Sequence, residues 1–223
     1  MARIAQLIIV AFLGGTVGRG AFRKYRSFRL NKTIMNRSKG IFNLKIESDT
    51  DDDEGNGFMI EDGMILTNYH ILRDIMDSGE EYKITLMDKD KNIYDGEKLR
   101  CDKKKDLCLV KIDDYDKRSH IFRPIDKQLG YGIDVMAIYV LDEEADETIN
   151  VTYGKTNGMY YRNDEKYEVE MVNLYLHIPD GWSGTPLLDY KGKLLGINRG
   201  AYGPENMISE AISSREIIEF MEK

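Results

Sequence analysis

From Gly40 onward the sequence predicts an all-β barrel or sandwich, and three observations carry that prediction. Short apolar runs recur about every ten residues, separated by Gly, Asn and Asp. Asp62-Gly63 and Lys191-Gly192 each sit between two such runs and read as hairpin turns. A helical pattern appears only near the end of the chain.

The elements follow in order. Ile41–Ile46, Gly57–Ile60, Met64–Thr67, Tyr82–Leu86 and Leu107–Ile112 read as strands. So do Val135–Leu141, Thr148–Tyr153, Val169–Leu176, Pro186–Leu188 and Leu194–Asn198. Ser213 or Ser214 can cap a closing helix. Glu216 falls in its first turn, and Ile217, Ile218 and Met221 form its apolar stripe. The acidic run Asp49–Glu54 reads as a solvated loop.

Ahead of this body lies a segment of different character. Residues 1–46 carry ten Lys or Arg and no Asp or Glu, whereas residues 47–223 carry a net charge of −17. Residues 4–17 form an apolar stretch of about 14 residues, short of the roughly 20 that a spanning helix needs. That length suits the apolar core of a signal peptide. The basic cluster behind it, Arg19 to Arg29, resists crossing a membrane. Residues 1–39 therefore read as a secretory or membrane-anchoring segment, with an organellar presequence or a segment packed on the fold as alternatives. Asn31, Asn36 and Asn150 each begin a glycosylation-type triplet, a pattern that chance supplies in an Asn-rich chain.

The acidic body excludes nucleic acid as the main partner, because phosphate binding needs a basic face. Neither a cofactor nor a metal is expected. The three histidines, His70, His120 and His177, form no spaced pair with a cysteine or with each other. Cys101 and Cys108 are expected to be free thiols. An extended stretch between them spans roughly 23 Å, although a turn through Lys103–Lys105 shortens it.

The chemistry concentrates in Asp180-Gly181-Trp182-Ser183-Gly184-Thr185-Pro186. A serine between two glycines can sit on a tight turn with its hydroxyl exposed and consecutive N–H groups aimed at one spot. A nucleophilic serine needs a base, and the base needs a carboxylate. His70 follows the Met64–Thr67 strand, and Asp106 directly precedes the Leu107–Ile112 strand. Asp102 is the rival for the acid role.

These segments resemble the trypsin-like proteases of the HtrA/Deg type. Gly55-Asn56-Gly57-Phe58-Met59-Ile60 with Ile65-Leu66-Thr67-Asn68-Tyr69-His70 is similar to that family's histidine region. Asp106 to Ile112 looks like its aspartate strand, Gly181 to Leu187 its nucleophile loop, and Gly192 to Asn198 the strand that follows. The resemblance covers residues 40–223 and implies two perpendicular antiparallel β-barrels, roughly 40–120 and 121–212, with a short helix at 213–222 and no PDZ module.

By that resemblance the active site lies between the barrels. His70, Asp106 and Ser183 would form the triad of a serine endopeptidase. The N–H groups of Gly181 and Ser183 would hold the oxyanion, and His177, Asn198, Arg199 and Gly200 would line the substrate pocket. Arg199 and His177 would then favour an acidic side chain. Trp182 and Thr185 depart from the family pattern and motivate the alternative of an impaired, peptide-binding relative. The Gly-Trp-Ser-Gly-Thr-Pro loop is also similar to serine proteases of sobemovirus-like RNA viruses.

Overall fold

The computed structural model describes residues 20–79, 81–113, 115, 120–140, 149–202 and 208–223, with the backbone alone at 20–26 and 202. The apolar stretch at 4–17, together with Leu141 and Thr148 of the expected strands, lies outside these residues.

Six antiparallel strands close the first barrel in the order β1-β2-β3-β6-β5-β4. They are β1 (Ile41–Ser48), β2 (Asp52–Glu61), β3 (Met64–Thr67), β4 (Tyr82–Asp88), β5 (Ile93–Asp102) and β6 (Leu107–Ile112). The second barrel closes as β10-β11-β12-β9-β8-β7. Its strands are β7 (Tyr131–Val140), β8 (Ile149–Asn163), β9 (Glu168–Tyr175), β10 (Pro186–Asp189), β11 (Leu194–Tyr202) and β12 (Ile208–Ser213). Closure leaves neither sheet with an open edge. Both expected hairpin turns form, and Gly63 and Gly192 supply the positive φ they need, +69° and +78°.

Each barrel has its own apolar interior. Phe42, Leu44, Ile65, Ile84 and Val110 fill the first. Val135, Val172, Leu174, Leu187 and Leu195 fill the second. A third cluster joins them, with Phe58, Leu66 and Leu109 of the first barrel in one group with Met136, Ile138 and Ile197 of the second. The barrels thus share buried surface, and the joint between them is as dry as their interiors.

Two strands were not legible in the sequence. In β5 exposed and half-buried residues alternate, and it contributes few apolar side chains. In β12, Ser209 and Glu210 interrupt the apolar pattern. The acidic run at 49–54 is only half loop, because Asp52, Asp53 and Glu54 pair with Glu47, Ile46 and Lys45 as the start of β2.

The expectation of a single closing helix is also corrected. Besides α3 (Ser214–Met221) there are α1 (Gly20–Arg37) and α2 (Tyr69–Ser78). In α2 the buried residues Tyr69, Leu72 and Ile75 recur at three-residue spacing, and Gly79 ends the helix at φ +77°. In α1, Ile34 is fully buried in the shared cluster. The part of the basic segment nearest the body therefore packs on the fold. Ser213 is the N-cap of α3, accepting from Glu216 N.

The free-thiol expectation fails. Cys101 and Cys108 are disulfide-bonded, with Cα atoms 4.1 Å apart. The segment between them turns back on itself at Lys103–Asp106, so the two residues face each other in the β5–β6 ladder.

The bridge closes a short loop and should add about 2 kcal/mol to stability. Thiol titration of denatured protein should find no free thiol before reduction and both after it, with a lower urea midpoint for the reduced form. Two titratable thiols in unreduced protein would contradict the bridge.

Candidate active site

Asp106 is the residue on which the first barrel's contribution is organised. It stands in the turn before β6 in a left-handed conformation, φ +55°, uncommon for a side chain with a Cβ. This conformation directs both its carbonyl and its carboxylate at the start of α2. The carbonyl accepts from Tyr69 N at 3.1 Å and from Asn68 Nδ2 at 3.1 Å. Carboxylate Oδ1 accepts from His70 N at 2.8 Å. Asn68, at the N-cap position, makes no side-chain cap bond. Asp106 satisfies the helix's first N–H groups in its place, from the turn before the neighbouring strand β6.

His70 lies in that first turn, with its Nδ1 2.8 Å from Asp106 Oδ2. Oδ2 also accepts from Arg199 Nε at 2.9 Å. A carboxylate that already receives a guanidinium acts as an acceptor, so Nδ1 is the donor and Nε2 is left as the ring's acceptor. The Asp106 side chain is 1% exposed and that of His70 is 26% exposed. One group is locked and the other reaches the surface. Asp102 does not approach His70. Its Oδ1 accepts from Lys104 N and Lys105 N within the turn.

Ser183 comes from the second barrel on a loop with two left-handed glycines, Gly181 at φ +82° and Gly184 at φ +84°. Asn56 of β2 clamps this loop to the first barrel. Its backbone N–H donates to Ser183 O at 2.8 Å and its Nδ2 to Gly181 O at 2.9 Å. Its own carbonyl accepts from Thr67 Oγ1 at 2.6 Å. At Gly184 an added Cβ would lie 1.8 Å from Asn56 O, so no side chain fits there. With the two carbonyls drawn to Asn56, the N–H groups of Gly181 and Ser183 have no acceptor among the described residues.

The two departures from the family pattern are absorbed by packing. Trp182 is buried and stacks parallel on Tyr139 with centroids 4.7 Å apart. Thr185 is buried, donates to Trp182 O at 2.8 Å and accepts from Asn198 Nδ2 at 2.9 Å. Both brace the loop from behind.

The expected pocket residues divide. His177 is exposed and Gly200 half-exposed, with open space where a Cβ would be. Asn198 is fully buried, and its Nδ2 donates to Thr185 Oγ1. Arg199 is not a free cation awaiting an acidic side chain. Its guanidinium is paired with Asp106 and lies 3.5 Å from Glu210. The Ser183 hydroxyl donates to Arg199 O at 2.8 Å rather than to His70. Among the described residues no cluster of His, Cys, Asp or Glu is placed to hold a metal ion.

Comparison with known proteins decides the family. The model of the trypsin-like peptidase domain matches residues 55–197, a span that contains His70, Asp106 and Ser183. The chain belongs to the trypsin-like peptidase family. Among curated relatives of this peptidase domain, a putative serine protease HhoA of Synechocystis is 30% identical over 151 residues, 65% of this chain and 36% of that protein. Serine protease HTRA1 of Xenopus laevis is 29% identical over 174 residues, 75% of this chain and 35% of its own length. The matches thus span about a third of these relatives. Among solved structures, the active form of the Rv3671c protease from M. tuberculosis superposes with TM-score 0.72 at 17% identity, covering 88% of this chain and 86% of that one. The HtrA-type protease AlgWS227A with tripeptide also gives 0.72, at 21% identity, covering 86% and 62%. At these identities the structures establish a shared fold, two barrels of the chymotrypsin type.

Sequence reading missed Asn56 as a functional position and Arg199 as a partner of Asp106. The one available signal for Asn56 was its place between two glycines, where backbones approach closely.

The two loop glycines should respond differently to alanine. Gly181→Ala meets only Tyr139 Oη at 3.8 Å and should lose about 1 kcal/mol to backbone strain. Gly184→Ala must also displace the Asn56 backbone and should lose about 4 kcal/mol or more. Urea denaturation of the two variants side by side measures the difference, and equal losses would refute the clamp.

Proposed function

We propose that this peptidase-family chain is a serine endopeptidase in which Ser183 is the nucleophile, His70 the general base and Asp106 the orienting carboxylate. The observation that carries the reading is the 2.8 Å contact between His70 Nδ1 and Asp106 Oδ2, which leaves Nε2 as the ring's acceptor. Ser183 stands on the clamped loop with its hydroxyl on Arg199 O, and the reading requires a side-chain rotation that turns it toward Nε2. Such side-chain rotations take picoseconds to nanoseconds.

The steps follow from the chemistry. Ser183 Oγ attacks the peptide carbonyl carbon while its proton passes to His70 Nε2. The charge that develops on the carbonyl oxygen meets the N–H groups of Gly181 and Ser183. His70 returns the proton to the leaving amine as the C–N bond breaks, leaving an acyl ester on Ser183. Water, deprotonated by the same imidazole, then hydrolyses the ester and regenerates the hydroxyl. Asp106 stays ionised and stabilises the imidazolium. The substrate class is protein or peptide. Trp182 and Thr185 do not favour a non-hydrolysing relative, because both reinforce the loop.

The compartment proposed is secretory or organellar. A probable periplasmic DegP-like endoprotease of Bartonella henselae and a chloroplastic Do-like protease of Arabidopsis thaliana are among the relatives. The disulfide suits an oxidising compartment. No helix among the described residues is long and apolar enough to cross a membrane. Membrane association is proposed for residues 4–17.

Ser183→Ala should keep the circular dichroism spectrum and melting temperature while lowering kcat/KM on a peptide substrate by about 10^4-fold or more. A fluorophosphonate probe should label the wild type and not the variant. A folded wild type that neither takes the label nor cleaves a peptide library would end this reading.

A further inference from the structure

Arg199 touches two of the proposed catalytic residues at once. Its side chain donates to Asp106 and its carbonyl accepts from Ser183. It belongs to β11 of the second barrel, whereas Asp106 belongs to the first. A carboxylate as buried as Asp106 needs a countercharge or a full set of donors. Two donors come from His70, and the third is Arg199 Nε.

The guanidinium is itself fixed on three sides. It lies over the ring of buried Tyr167, 4.3 Å from the centroid. Its Nη1 is 3.5 Å from Glu210 Oε2 on β12. Glu210 is held in turn by the Tyr160 hydroxyl and by Arg162 Nη1 at 3.7 Å, both on β8. The neighbouring cation Lys105 is turned away, onto Glu216 and Glu219.

We propose, on the reading that Ser183, His70 and Asp106 form the triad, that Arg199 is a positioning residue rather than a specificity residue. It pins Asp106 across the barrel joint, and its charge sets the pH range in which His70 serves as base. The physical reason lies in the shared oxygen. Oδ2 receives both the imidazole N–H and the guanidinium N–H, so the carboxylate's negative charge is divided between two cationic partners. An imidazolium beside such a carboxylate is less stabilised than beside a lone one. His70 also interacts electrostatically with Asp53 on β2 and Asp74 on α2, and these carboxylates act in the opposite sense to Arg199.

The sign is then fixed. Removing the cation strengthens the pull of Asp106 on the imidazolium, so His70 stays protonated, and unable to act as base, up to a higher pH. Removing Glu210 leaves Arg199 uncompensated and works the other way.

The experiment is the pH dependence of kcat/KM on one peptide substrate, with fluorophosphonate labelling and thermal melts as controls. Arg199→Gln should move the acid limb upward by about one pH unit, so that activity falls about tenfold below the limb and less above it. Arg199→Lys, which keeps the charge, should leave the limb within about a third of a unit of wild type, given a cation still within reach of Asp106. Glu210→Gln should move it downward. If Arg199→Gln loses the same factor at every pH with its midpoint unmoved, Arg199 only packs and the inference is overturned. If Arg199→Gln does not fold, Glu210→Gln decides, and an unmoved or raised midpoint overturns it. Labelled wild type with these failures overturns this inference alone, whereas unlabelled, inactive wild type overturns the triad reading and this with it.

Discussion

The fold depends at its centre on a close approach between two backbones, Asn56 on β2 and the Ser183–Gly184 segment. Hydrogen bonds to Ser183 O and Gly181 O hold the two barrels in register at one point. The Asn56 carbonyl passes the constraint on through Thr67 to the end of β3, and Asn68, Tyr69 and His70 follow directly. The Ser183 loop and His70 are therefore positioned from a common residue. A shift of one barrel against the other would strain these bonds before it could separate the two groups. Glycine at 184 is the condition for the approach, and the buried cluster shared by the barrels keeps water from competing for its hydrogen bonds.

Charge is used in the same economical way. Asp106 caps a helix, orients an imidazole and pairs with a guanidinium through one carbonyl and one carboxylate. Next to it, burial pushes the Lys105 ammonium down, but the carboxylates of Glu216 and Glu219 outweigh it and hold its pKa above the ordinary lysine value. Lys105 in turn holds the Glu219 carboxyl below its usual range. The disulfide closes the far side of the same turn. A left-handed aspartate is uncommon, and here three separate devices surround the turn that imposes it: a covalent bridge, a buried ion pair and a capped helix.

Much of this was legible in the sequence, for reasons that can be named. Strands with a buried face, such as Met64–Thr67 and Leu107–Ile112, show their apolar runs directly. Glycines at turns show because few other residues tolerate positive φ. The order and setting of His70, Asp106 and Ser183 pointed to one chemistry. What remained hidden was polar or contextual. Strand β5 has no apolar signature, and α2 is short enough for its stripe to pass as part of a strand region. The cysteines were judged on an extended separation that the turn removes. Arg199 looked like a pocket cation because sequence gives position along β11 but not the direction of a long side chain, and that direction was decided by a buried carboxylate on another barrel.

The closing helix α3 packs on the second barrel yet reaches into the first. Arg100 of β5 donates to Phe220 O at 2.6 Å and lies over its ring, and Lys105 binds Glu216 and Glu219. The turn that carries Asp106 is thus completed by residues more than a hundred positions later. Protein synthesis runs from the N-terminus, and the first barrel emerges well before its supports do. Until α3 has emerged, the Asp106 turn stands without the carboxylates that pair with Lys105. The first barrel therefore cannot complete the surroundings of Asp106 by itself, and the site reaches its final shape only after α3 has been made.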